Sequence, residues 1–165
     1  MPIVAMSLGS NIDREKNIRF AVKELESQFG EIVASPVYLA QAVGFEGPSF
    51  YNLAVLLETE LPMESVMAIN HAIEAGAGRL RGEKSYGSRT LDIDILLYGE
   101  ESFRGQGRNI PRDEIENAAY VLKPLLDILP DGTHPVSGEL YADLWAGFEP
   151  VGDGLQQTDF DLRLL

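Results

Sequence analysis

The sequence has no cysteine. Neither a disulfide framework nor a thiolate zinc site can form, and the absence fits a reducing cytoplasm. Histidine is nearly as scarce. His71 and His134 are the only two, which argues against a His-rich metal centre or a Ser-His-Asp triad, and no G-x-S-x-G is present. No apolar run approaches the ~20 residues a membrane span needs. MPIVAMSLGSN carries no basic n-region before its apolar run, so it reads as a first strand rather than a signal peptide. G-x-x-x-x-G-K-[ST] is missing, which excludes a P-loop, and so is the protein-kinase set. Positive charge is in deficit. Thirteen Lys and Arg face 26 Asp and Glu, giving −13 over 165 residues. Nucleic acid is therefore not an expected partner, because phosphate contacts drive that binding.

Apolar residues make up 45% of the chain. At this size that allows one core, and without a linker or repeat the expectation is one domain over 1–165. The charge is unevenly spread. No Lys or Arg occurs between Glu24 and Gly78, where eight acids fall. Arg79, Arg81, Lys84 and Arg89 then crowd into eleven residues, directly before Asp92 and Asp94. Cations gathered beside carboxylates in an acidic chain point to a metal-bound polyphosphate, or to a salt-bridged loop.

The patterning predicts a buried strand over 2–8, bounded by Gly9-Ser10-Asn11. A helix follows, with Ile18, Ala21, Val22, Leu25 and Phe29 at helical spacing. Asn11 or Asp13 would cap it and Gly30 would stop it. Residues 31–40 read as a second strand bent at Pro36, 41–49 as a loop and 50–59 as a third strand. Pro62 starts a second helix that ends near Gly76–Gly78. Residues 79–89 are a second loop and 90–98 a fourth strand. This β-α-β-β-α-β order predicts an α+β, ferredoxin-like antiparallel sheet with helices on one face, plus a C-terminal extension. In the extension, 105–109 is a Gly-rich stretch before Pro111. Short helices are expected at 112–117 and from Pro124 to Leu129, and a late edge strand around Phe160, Leu162 and Leu164.

Asp92 and Asp94 lie two apart on the fourth strand, so both carboxylates share one face. Side by side they repel unless a cation intervenes. Hard oxygen ligands favour magnesium, bound through one or two carboxylates plus phosphates and water. Structural pairing with Arg79 or Arg89 is the other reading, and spacing alone leaves both open. Arg79, Arg81 and Arg89 can clamp phosphate oxygens. With the two aspartates they suit phosphoryl transfer, which rests mainly on positioning and charge neutralisation. Phe45, Phe50, Tyr51, Tyr86 and Tyr120 accompany the loops, where two could sandwich a flat heterocycle. Asn52 sits inside an apolar strand, and its amide can serve a heterocycle edge as donor and acceptor. His71 and Glu74 are three apart on the second helix and could line an adenine pocket. His134, beside Pro135 in a turn, reads as structural.

Four segments carry a resemblance: SLGSN, FYNLAVLLET, GRLRGEKSYGSRTLDIDILLYG and IPRDEIENAAYVLKPLLDILPD. In this order, from about residue 3 to 135, the chain resembles the 6-hydroxymethyl-7,8-dihydropterin pyrophosphokinases of folate biosynthesis. The resemblance implies a ferredoxin-like α+β fold and transfer of pyrophosphate from ATP to the pterin hydroxymethyl group, giving AMP. It implies that Asp92 and Asp94 hold two magnesium ions, and that Arg79 and Arg89 stabilise the triphosphate with them. Val43, Phe50, Asn52, Tyr86 and Tyr120 match pterin-holding positions. His71, Glu74, Arg79, Arg81, Arg89 and Arg112 match positions around ATP. The two loops match segments that close over both substrates, and a monomer is implied.

The chain departs from the family pattern at several places. Pro111-Arg112 replaces the usual Pro-His, and Gly87-Ser88-Arg89 replaces Gly-Pro-Arg. His71 stands where Gln is frequent, and Ala118 where an Arg often precedes the aromatic. Arg112, His71 and Ala118 motivate an alternative of another class, a paralogue that binds pterin or nucleotide with little transfer. A third option, an RNA-binding domain of the same topology, lacks its aromatic motif and basic surface.

Overall fold

A computed structural model of the chain describes residues 1–41, 47–78, 90–105, 108–148 and 155–162. Its sheet is built on β1 (Ile3–Ser10) and β4 (Phe50–Glu58), paired antiparallel from Ile3↔Glu58 to Ser10↔Tyr51. β5 (Asp92–Tyr98) joins the other side of β1, also antiparallel. The second strand is split at Pro36 into β2 (Val33–Ala34) and β3 (Tyr38–Ala40), and both pieces pair with β4. Pro36 has no N–H for the ladder, so the break falls where the sequence places it. The order across the sheet is β5-β1-β4-β3-β8, where β8 (Gln156–Gln157) is an edge strand. The late edge strand therefore exists but lies earlier than residues 160–164; Phe160 and Leu162 pack onto the core instead.

Alternation along β1 assigns the faces. Val4, Met6 and Leu8 join the core under α1 (Arg14–Phe29) and α2 (Met63–Gly76), together with Leu53, Val55, Ile93 and Ile95. Each such fully buried side chain stabilises the fold by about 1.5–3 kcal/mol relative to exposure. Ala5 points the other way. It packs with Leu97 and with Val121, Leu122 and Leu125 of α4 (Ala119–Ile128). Helices thus cover both faces, which corrects the expectation of one. α3 (Glu114–Asn117) and α5 (Tyr141–Ala146) belong to this second layer through Ile115 and Tyr141. Burial pushes the Tyr141 hydroxyl up to about 12.

Helix α4 starts five residues before Pro124 and contains it. The amphipathic run Val121, Leu122, Leu125 outweighs the proline, which lies past the first turn and removes one helical hydrogen bond. The helix is tied to β3 because Tyr38 donates its hydroxyl to Asp127, which also takes Lys123 Nζ at 2.7 Å. Burial and then Asp127 raise the Tyr38 pKa far above its ordinary value. The N-cap position of α1 is Asp13, but it is left-handed (φ 44°) and makes no side-chain cap. Gly30, with φ 84°, ends α1 as its lack of a β-carbon permits. The Gly-rich stretch forms a hairpin, β6 (Phe103–Gly105) and β7 (Arg108–Ile110).

Candidate active site

Register carries the chemistry-bearing residues onto the second face. Gly9 pairs with Asn52 on one side and Asp92 on the other, and Asn52 pairs in turn with Tyr38. One row lower, Ser7 lies between Ala54 and Asp94. Directly opposed residues share a face, so Asn52, Asp92 and Asp94 project together, with Asn52 and Asp92 two strand spacings apart, roughly 10 Å. Between them the floor is glycine. A β-carbon at Gly9 would stand 3.0 Å from Asn52 Oδ1 and 3.9 Å from the Phe50 ring. Asn52 is buried and Phe50 half-buried.

The residues after Gly9 act on the flanking loops. Ser10 donates its hydroxyl to the Thr90 carbonyl, at the entry to β5. Asn11 Nδ2 donates to Pro48 O at 2.9 Å, and Arg14 Nη1 to Ser49 O at 2.8 Å. The Arg14 guanidinium also lies 4.4 Å over the Tyr51 ring. A turn signal in the sequence therefore conceals two tethers, to both segments that lead into the site. Ser10, Asn11 and Arg14 were missed as site residues. Ser10 and Asn11 carry a signal in the short Gly-Ser-Asn run, polar residues buried after an apolar strand, whereas Arg14 carries none.

Arg112 gathers the carboxylates at the open end. Its Nη2 lies 3.2 Å from Glu114 Oε2 and 3.8 Å from Asp94 Oδ2. Its backbone N–H donates to Leu96 O at 3.0 Å, fixing it to the β5 edge. Burial works against its charge, but Asp94, Glu114 and Asp92 outweigh that and hold the guanidinium even more firmly protonated. Tyr120 sits near enough that burial, Glu114 and Asp94 raise its hydroxyl. Below Arg112, Asp113 accepts from Arg104 Nη1 at 2.7 Å and from Asn109 Nδ2 at 2.8 Å. Those two bonds pull its carboxyl below the usual range and moor the hairpin.

Beside this cluster a cleft opens between α2 and β5. Its walls are Met63, Met67, Ile93, Ile95 and Ile110; Asn70, His71, Asn109, Asp94 and Arg112 supply the polar groups. His71 is exposed and lines the cleft. Glu74 turns inward, where it is 5% exposed and accepts the Ile93 N–H at 2.8 Å. It occupies the outer edge of β5, so His71 and Glu74 do not act as one face. His134 is buried, with Nδ1 accepting the Val136 and Ser137 N–H groups at 3.2 Å, as a structural histidine would.

The structure therefore brings together Phe50, Asn52, Asp92, Asp94, Arg112 and Tyr120, with His71 on the adjoining cleft. Val43, Arg79, Arg81, Tyr86 and Arg89 lie outside the described residues. The two aspartates fit magnesium. Both are half-exposed on one face. Among the described residues no group of three or more His, Cys, Asp or Glu closes a full protein cage. A pair of carboxylates that leaves positions for phosphate and water is the donor set this ion takes. Among the described residues no helix is long and apolar enough to cross a membrane.

The chain is similar to known proteins over most of its length. The family model described as 7,8-dihydro-6-hydroxymethylpterin-pyrophosphokinase (HPPK) matches residues 5–130. A 2-amino-4-hydroxy-6-hydroxymethyldihydropteridine pyrophosphokinase of Aquifex aeolicus is 38% identical over 140 residues, 82% of this chain and 86% of that protein. The folic acid synthesis protein fol1 of Pneumocystis carinii is 33% identical over 138 residues, but the chain spans only 18% of its length. A crystal structure of Plasmodium falciparum HPPK-DHPS with SDX-DHP superposes with a TM-score of 0.72 at 14% identity, over 95% of this chain and 47% of that one. That likeness speaks for the fold.

Proposed function

The chain belongs to the 7,8-dihydro-6-hydroxymethylpterin-pyrophosphokinase family, and we propose that the open half of the second sheet face is where it performs the family's reaction. It is an ATP-dependent diphosphotransferase that passes pyrophosphate from ATP to hydroxymethyldihydropterin in folate synthesis. The paralogue that only binds is not favoured. The observation that carries the site is the shared row in which Asn52, Gly9 and Asp92 lie side by side.

In this reading the pterin lies over Gly9. Asn52 bonds its edge, and Phe50 and Tyr120 flank its ring, joined by Val43 and Tyr86 from the loop segments. ATP enters from the α2–β5 cleft past His71, with its phosphates toward Arg112. Arg79, Arg81 and Arg89 complete the triphosphate clamp. Asp92 and Asp94 would hold two magnesium ions, which supply charge neutralisation for the phosphates. The pterin oxygen attacks the β-phosphorus in line. The new O–P bond forms as the bond between β-phosphorus and the α–β bridging oxygen breaks, AMP leaves, and the hydroxyl proton passes to solvent. No side chain is assigned as base. The chain's contribution is alignment, worth up to ~7–11 kcal/mol in favourable cases. The guanidiniums stay charged throughout the working pH range.

The four principal strands, in order β5-β1-β4-β3 with β2 also paired to β4, support the ferredoxin-like reading with a C-terminal extension. We further propose a cytoplasmic monomer working as one domain over 1–165. The cysteine-free composition supports the compartment.

The test is AMP formation from ATP, magnesium and 6-hydroxymethyl-7,8-dihydropterin. Pterin-dependent AMP is expected, falling roughly 10²–10³-fold in Asp94→Ala, the scale of losing one preorganised charge-stabilising group. Full activity in that variant would remove Asp94 from the site.

A further inference from the structure

We propose that Asn70 selects the base of the nucleotide by accepting a hydrogen bond from the 6-amino group of adenine. The inference rests on the reading that ATP occupies the α2–β5 cleft. Asn70 lies on α2, lines that cleft and is only 2% exposed. Its Oδ1 is buried and has no hydrogen-bond partner among the described residues. Buried acceptors of this kind are rare, because the desolvation is not repaid. A side-chain amide oxygen kept without a donor is complementary to a ligand that brings one.

The surroundings say which ligand. Met67, Ile93, Ile95 and Ile110 give the cleft apolar walls suited to a flat ring. Asp94 and Arg112 stand at its polar end, so a nucleotide placed with phosphates there has its base among the apolar residues. The neighbouring carboxylate of Glu74 accepts the Ile93 N–H and does not line the cleft, which leaves Asn70 Oδ1 as the buried acceptor there. Adenine offers a donor at position 6. Hypoxanthine and guanine offer a carbonyl there, which would leave two acceptors facing each other. The same oxygen thus attracts one base and rejects the others.

The experiment compares kcat/KM for magnesium-ATP and magnesium-ITP, with pterin saturating, in the full chain and in Asn70→Leu, an apolar variant of similar size. The wild-type chain should prefer ATP by about tenfold or more, the scale of one hydrogen bond plus an unpaired buried acceptor. Asn70→Leu should lose about tenfold with ATP and stay within about twofold with ITP, so that the ratio collapses. A merely structural role would move both nucleotides together. An unchanged ATP/ITP ratio in Asn70→Leu would overturn the inference and leave the oxygen to an internal water. If that variant does not fold, the wild-type chain decides the matter with purine riboside triphosphate, which lacks the 6-amino group; binding as tight as ATP by calorimetry overturns the proposal. Met67→Trp separates the premise from the inference. Weakened ATP binding in Met67→Trp with an unchanged ratio in Asn70→Leu sinks only the role of Asn70. Undiminished ATP binding in Met67→Trp sinks the cleft as the base site, and Asn70 with it.

Discussion

The two faces of the sheet share every backbone atom and differ in what their alternate residues do. On the α1–α2 face, β1 offers Val4, Met6 and Leu8, each fully buried. On the other face it offers Ala5, Ser7 and Gly9, all small, with glycine in the row of Asn52 and Asp92. α4 packs on Ala5, while the row of Asn52, Gly9 and Asp92 has glycine at its centre and a half-exposed carboxylate at its edge. One face is filled by large side chains, whereas on the other the proposed site is floored by small ones. A single residue's shift in register would exchange the two sets. The long β1–β4 pairing is therefore as much a condition of catalysis as of stability.

The sharpest way to break this comparison is to mutate adjacent rows on opposite faces. Asp92→Asn should lower the pyrophosphokinase rate by roughly 10²–10³-fold. Its urea midpoint should not fall, because relieving carboxylate repulsion removes no core contact. Leu8→Ala, one register step away across β1, should do the reverse. Deleting a fully buried leucine costs about 2–5 kcal/mol, while the fraction that remains folded should turn over normally. Steady-state kinetics and urea unfolding on both variants would check the pattern. An Asp92→Asn enzyme with full magnesium-dependent activity would mean that the two faces are not divided as described.

A smaller effect sharpens the picture within the open face. Gly9→Ala should raise KM for the pterin about tenfold, the scale of a displaced hydrogen-bonding group. Its β-carbon would meet Asn52 Oδ1 at 3.0 Å and must move it. KM for ATP should change little, because the α2–β5 cleft does not include Gly9. Equal rises for both substrates would show that the pterin does not lie over this glycine.

Much of this division was legible in the sequence. Period-two alternation in TLDIDILLY separates the aspartates from Ile93 and Ile95, and it needs no tertiary knowledge. The strand break at Pro36 and the helix stop at Gly30 follow from backbone chemistry alone. What was hidden depended on partners distant in the chain. Ala5 and Leu97 read as ordinary strand residues, and only α4 reveals that the second face is also a core. Pro124 pointed to a later helix start, but the apolar face of α4 overrides that local preference. Glu74 has the same spacing from His71 whether it faces a ligand or the Ile93 N–H, so periodicity could not choose. Ser10 and Asn11 look like a turn until the carbonyls of Thr90 and Pro48 arrive from 80 and 37 residues away.

The mildest prediction concerns the rim of the open face, where the β6–β7 hairpin holds the polar end of the cleft. Asp113 is solvent-exposed, and its bonds to Arg104 and Asn109 hold its pKa below the ordinary carboxylate value. A depressed carboxylate stabilises the fold fully at pH above its unfolded pKa, and that contribution fades as pH falls through the lowered one. Exposed pairs of this kind contribute little to global stability. Asp113→Asn should therefore leave the urea midpoint at pH 7 almost unchanged. It loosens Asn109 and Ile110, which line the cleft, so KM for ATP should rise by about two- to fivefold while KM for the pterin holds. The substitution should also flatten part of the wild-type loss of ATP affinity at acid pH, since the titrating group is gone. Salt provides the control: 1 M sodium chloride, with a Debye length near 3 Å, should move the wild type toward the variant. If the two substrates' KM values rose together, the hairpin would be supporting the whole face rather than the nucleotide end alone.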